Sequence, residues 1–165
     1  MKHLLLWGLA ATVLLVGCGK ENSSNSAAMN EPLNGKIAGR AWKFQFGTVR
    51  LSKTTNRWTF MLLDIAPGQD PCNATYNVGD TLYIVNFSTE RNSVGEYDTK
   101  TSSGRPVSLT KMVTNGGAGF SSSSQGAFGD TRITRSDAAS VEGQLDVKGN
   151  DDNYVKGKFT AKVCK

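Results

Sequence analysis

A single histidine occurs in the 165 residues, His3, and it lies in an N-terminal segment expected to be removed. A mature chain without histidine has no Ser-His-Asp or Cys-His machinery and no His-based zinc site. The three cysteines include no CxxC pair, which leaves no spacing for dithiol redox chemistry or a cysteine metal centre. The glycines of Asn115-Gly116-Gly117-Ala118-Gly119-Phe120 are not followed by GK[ST], so they make no phosphate cradle. The N-terminal apolar run, Leu4 to Val16, has 13 residues, well short of the roughly 20 that span a bilayer as a helix. Beyond it no segment shows a 3.6-residue amphipathic period, and helix is expected to be scarce.

What is present begins with that run. Met1-Lys2-His3 supplies a positive start and Leu4 to Val16 is apolar on every face, the pattern of a secretory signal rather than of an amphipathic core helix. The run ends in Leu15-Val16-Gly17-Cys18, which resembles the lipobox of bacterial lipoproteins. The resemblance implies a diacylglyceryl group on the Cys18 sulfur, cleavage before Cys18 and acylation of the new amino group. More than one acyl chain is what stable anchoring requires. In that family an aspartate after the cysteine signals inner-membrane retention; Gly19 stands there instead and implies the outer membrane.

From Gly19 to Asn34 the chain is rich in Ser and Asn and has no periodicity, so it reads as a flexible tether with a reach of about 20 to 24 Å. The expected organisation is a signal peptide over 1–17, a lipidated cysteine and tether over 18–34, and one domain over 35–165. With 38% hydrophobic and 20% charged residues the composition suits one globular unit.

Without Lys2, 18 basic residues face 14 acidic ones, a mild excess distributed as on solvated strand faces. One stretch differs. Between Pro32 and Leu63 there is no acid, while Lys36, Arg40, Lys43, Arg50, Lys53 and Arg57 contribute six positive charges. These residues are candidates for contact with an anionic surface such as lipid headgroups, against the plainer reading of scattered surface cations. No nucleic-acid partner is expected.

Alternation with a period of two dominates the rest. Trp42, Phe44 and Phe46 fall on one face, as do Val49 and Leu51, and Trp58, Phe60 and Leu62. Similar runs cover Thr81–Ser88, Val107–Thr114, Ala127–Arg135, Ser140–Lys148 and Tyr154–Val163, with turn clusters between them. Val141-Glu142-Gly143-Gln144-Leu145-Asp146-Val147-Lys148 is echoed by Val155-Lys156-Gly157-Lys158-Phe159-Thr160-Ala161-Lys162, and a weaker echo begins at Ile37. The two full copies predict a closing hairpin whose glycines mark bulges or close backbone approach. The expected fold is all-β: an antiparallel β-sandwich or calycin-like barrel of about eight or nine strands. Gly39 and Trp42 resemble the Gly-x-Trp of the lipocalin first strand with one extra residue between them, a resemblance that implies a ligand-binding barrel. The lipobox, polar tether and short β-rich domain together resemble small bacterial lipoproteins.

With Cys18 lipidated, Cys72 and Cys164 remain, and an oxidising compartment predicts one disulfide between them. Carboxylates are the only candidate catalytic acids: Asp64 and Asp70 around a turn, Glu96 and Asp98 on one strand face, Asp151 and Asp152 between Asn150 and Asn153. A glycosidase needs two carboxylates facing across a cleft, which adjacent loop acids do not provide. The Asn150–Asn153 cluster lacks the EF-hand order and reads as a turn before it reads as a calcium site. Asn115 to Ser124 reads as a mobile hairpin connection with Phe120 as a contact residue. The expected function is that of a lipid-anchored, non-enzymatic binding or structural module of the envelope, without metal or cofactor. It contacts the membrane through its anchor and other envelope proteins or an anionic surface through its domain. The alternatives are a carrier of a small apolar ligand and a carboxylate-dependent hydrolase.

Overall fold

The structure, a computed structural model, describes residues 29–65, 68, 70–90, 94–98, 106–115 and 119–165. The signal segment, Cys18 and the tether as far as Ala28 lie outside the described residues. The strands are β1 (Asn34–Ile37), β2 (Arg40–Lys43), β3 (Phe46–Ser52), β4 (Arg57–Leu63), β5 (Thr81–Glu90), β6 (Gly95–Asp98), β7 (Val107–Asn115), β8 (Gly119–Ser136), β9 (Ser140–Lys148) and β10 (Tyr154–Cys164). Among the described residues the only helical element is a 3₁₀ turn at Pro71–Asn73. The fold is all-β, as the alternation predicts. The strand count, ten, exceeds the expected eight or nine, the four-residue β1 being too short to show a period.

The ten strands form one large sheet that closes partially into a ring. Pairing runs from β10 to β3, β4, β5, β7, β8 and β9 and returns to β10. Every strand pair is antiparallel except β3 with β10, which is parallel and corrects the purely antiparallel expectation. Two strands serve two neighbours along one edge. β10 pairs with β1 through Tyr154–Lys156 and with β3 through Ala161–Cys164; β8 pairs with β7 through Gly119–Ala127 and with β6 through Asp130–Ile133.

The inside of the ring is filled. Phe60 and Phe87 stack at 4.5 Å, and Phe159 meets both edge-on at 5.8 and 5.7 Å. Each fully buried side chain of this size contributes roughly 1.5–3 kcal/mol. The echoed glycines make this packing possible. A methyl group on Gly143 would meet the Phe159 ring at 2.5 Å and the Arg132 carbonyl at 2.7 Å, since Gly143 lies directly opposite Phe159. At Gly157, with φ of +129°, a Cβ would meet the Glu31 carbonyl at 2.6 Å where the incoming chain crosses β10.

One end of the ring is stoppered by the β1–β2 hairpin. It sends Leu33, Ile37 and Trp42 into the core, and the Trp42 indole donates to the Tyr83 carbonyl of β5 at 2.8 Å. The Arg40 guanidinium lies 4.7 Å from the centre of the Tyr83 ring. At the hairpin turn the Ala38 amide donates to Asn153 Oδ1 at 2.6 Å, joining the β1–β2 and β9–β10 turns.

Three local expectations need correction. Trp42, Phe44 and Phe46 do not share a face: the strand breaks at Phe44–Gln45, where the Phe44 amide bonds the Leu33 carbonyl and the Gln45 amide the Leu63 carbonyl. Trp42 therefore enters the interior, while Phe46 packs outside the wall with Met61, Leu63, Tyr76, Leu82, Ile84 and Met112. The stretch expected to be a loop up to Ser124 is strand, because β8 pairs residue for residue with β7 from Gly119 onward; of that stretch, Gly116–Ala118 lie outside the described residues. The fold also begins before residue 35. Leu33 is 0% exposed and Pro32 bridges Lys158.

Candidate functional site

The inward-facing residues Val49 and Leu51 of β3, Trp58 of β4 and Val163 of β10 continue past the phenylalanines to the end of the ring opposite the hairpin. Val163 and Val49 are direct partners across the parallel pair, so β3 and β10, far apart in sequence, meet in one wall. These four side chains line an open cleft of about 610 Å³, completed by Ser136, Asp137 and Ala138 of the β8–β9 turn and by Cys164 and Lys165. The volume lies in the range of small-ligand sites, roughly 300–1,000 Å³. Apolar side chains of β3, β4 and β10 and polar groups of its rim share its lining about equally. Trp58 is only 7% exposed, and its indole Nε1 is buried without a hydrogen-bond acceptor.

The cleft is held by groups on the outer side of the wall. Cys72 and Cys164 are disulfide-bonded, with Cα atoms 5.4 Å apart, in the pairing expected from the sequence. Pro71–Asn73, which carries Cys72, is fixed in turn: the Arg50 guanidinium donates to the Cys72 carbonyl, and Lys162 bonds Asp70 at 2.8 Å. The Lys162 ammonium and the Cys72 amide hold the Asp70 carboxyl below the usual carboxylate range. On the opposite lip, Asp137 accepts from Arg135 at 2.8 Å and from the Ala139 and Ser140 amides at 2.8 Å each. Those bonds, that to Arg135 foremost, lower its pKa to about 2. Among the described residues Asp137 is the one carboxylate side chain lining the cleft, and the turn's own donors engage it.

The remaining sequence candidates are scattered. Arg50 serves the disulfide loop, Arg57 pairs with Glu90 and Arg40 lies on Tyr83. Lys53 stands in the β3–β4 turn at the open end, while Lys36 and Lys43 lie on β1 and β2 beside the stoppered end. Asp64 is half-buried, and burial raises its carboxyl pKa although Arg40 opposes the shift. Asp151 and Asp152 occupy a tight turn with φ of +53° and +57°. No cluster of three or more metal-ligating side chains occurs among the described residues. Phe120 is strongly exposed near the start of β8. A second cleft of about 400 Å³ lies beside the β1–β2 turn, lined by Leu109, Lys111, Gln125, Asp151 and Asn153 among others.

No pattern along the chain announces the open cleft. Its walls come from strands distant in sequence, and the one local signal is that Leu51 continues the inward set of β3 yet stays 37% exposed. No protein-family model matches this chain, and no curated protein or solved structure matches it.

Proposed function

We propose that this protein is a lipid-anchored envelope protein whose β-domain is a non-enzymatic binding module, taking a small apolar ligand at its open end. The observation that carries the reading is the contrast between the two parts of the ring. Its middle is occupied by Phe60, Phe87 and Phe159, so a ligand cannot be enclosed as in a hollow carrier, while the cleft above them is open. The anchoring part of the reading rests on Leu15-Val16-Gly17-Cys18 and the apolar run before it. A hydrolase gains nothing from a cleft whose single carboxylate side chain is already saturated with donors.

The test is solvent extraction and mass spectrometry of the protein purified from its own membrane, followed by titration of the emptied protein with an apolar fluorophore. Val163→Glu places a charge in the cleft wall and is expected to abolish fluorophore binding, with an unfolding midpoint close to that of the parent. If neither copurified ligand nor saturable binding is found in a folded sample, the domain is a structural module instead. Mass spectrometry of the N-terminal peptide tests the anchor: an unmodified Cys18 overturns that part.

A further inference from the structure

Cross-strand register places four outward-facing residues side by side on β1, β10, β9 and β8: Lys36 opposite Tyr154, Tyr154 opposite Lys148, and Lys148 opposite Phe128. Tyr154 is 43% exposed and Phe128 39%, and each is adjacent to a lysine. Lys43 projects from the same outer face, since its partner Asn34 also pairs with Lys156. Lys158 lies two residues further along β10. Aromatic rings whose polar or edge atoms sit at headgroup level, flanked by long cationic side chains, form the chemistry of the membrane–water interface. Acidic groups nearby are Asp146, which is paired with Lys156 at 2.9 Å, Asp130 opposite it on β8, Glu31 where the incoming chain meets Lys158, and Asp151 and Asp152 at the edge of the patch in the β9–β10 turn.

The chain's own path indicates what covers this face. Pro32 bridges Lys158 and the Leu33 amide donates to the Lys158 carbonyl, so the tether from Cys18 joins the domain at the patch itself. We infer that the Lys36, Lys43, Lys148, Lys158, Tyr154 and Phe128 face rests on the anionic lipid headgroups of the leaflet that holds the anchor. The inference builds on the anchoring reading above and specifies which side of the domain meets the membrane. The contact set is neither the full group of six cations in the N-terminal stretch nor confined to it. Lys148 and Lys158 come from the far end of the sequence, whereas Arg50 and Arg57 have partners elsewhere. The open cleft lies at the other end of β10, about 33 Å along the strand from this face.

The experiment is lysine footprinting of the full, natively processed chain, floated with vesicles of phosphatidylcholine alone or mixed with phosphatidylglycerol. A membrane-impermeant acylating reagent is applied and each lysine is read by mass spectrometry. On the mixed vesicles Lys36, Lys43, Lys148 and Lys158 are expected to lose reactivity several-fold, while Lys53 and Lys165 keep theirs. High salt is expected to restore the lost reactivity. A doubly substituted chain, Phe128→Glu with Lys148→Glu, is expected to float equally well but to show no protection at Lys36 or Lys158. A chain that floats with every lysine equally reactive, or a double variant still protected, overturns the face and leaves the anchor standing. A chain that does not float overturns the anchor, and this face loses its partner with it.

Discussion

The Trp42 indole reaches across the stoppered end of the ring to the Tyr83 carbonyl, while the Tyr83 ring carries the Arg40 guanidinium from the same hairpin. One residue of β5 thus receives both a hydrogen bond and a cation from β2. Trp42→Phe removes the donor and part of the buried volume, and is expected to destabilise the domain by about 1–3 kcal/mol. Urea titration at neutral pH measures this. A midpoint unchanged from the parent would mean that the hairpin contributes nothing through this contact.

Cys164→Ser removes a crosslink that spans a sequence separation of 92. Chain entropy sets the expected loss at about 4–5 kcal/mol as an upper figure. Because Cys164 also lines the open cleft, fluorophore affinity is expected to fall while the ring remains folded under mild conditions. Paired denaturant and binding titrations on oxidised and reduced protein separate the two effects, and equal stability in both states would contradict the prediction.

Much of the wall is legible in the order of residues along the chain, and the reasons are local. Trp58, Phe60 and Leu62 alternate with Thr59 and half-buried Met61 because this side of their strand faces the filled interior, and the pairing of Cys72 with Cys164 is reached by count once Cys18 is expected to carry lipid. Legibility fails where backbone partners decide the outcome. Ser121 to Ser124 carry no apolar period, yet β7 supplies their hydrogen bonds. Phe44 ends a run that looks continuous because Leu33 and Leu63 capture the amides at the break. The cleft escapes for a third reason: Val49 and Val163 become neighbours only through a parallel pairing that no short-range pattern encodes.

Gly143→Ala forces a methyl group against the Phe159 ring and the Arg132 carbonyl. The expected cost is about 1–3 kcal/mol. Phe159→Leu in the same chain is expected to recover part of it, giving a coupling that separates ring contact from backbone contact. Thermal unfolding of the two single variants and the double variant provides the cycle, and strict additivity would show that the ring is not what the methyl meets.

Acid dependence has two opposing parts. Asp137, with its pKa lowered to about 2, and Asp70, shifted the same way, stabilise the fold above the unfolded carboxylate range near 4, and that stability is lost as pH falls towards 2. Asp64 is raised by burial, so its contribution has the opposite sign and grows as pH falls from neutrality. Stability is therefore expected to rise slightly on mild acidification and then decline below about pH 4. Asp137→Asn is expected to weaken the decline and Asp64→Asn the rise, each read from denaturant midpoints across the pH range.

β10, 11 residues long, touches β1, β3 and β9. Until it emerges, β3 and β9 each present an unsatisfied edge and the ring stays open. A chain delivered from its N-terminus, by a ribosome or through a membrane pore, therefore closes the ring only after β10 has emerged, and a copy lacking β10 would leave two strand edges free to pair with those of its neighbours.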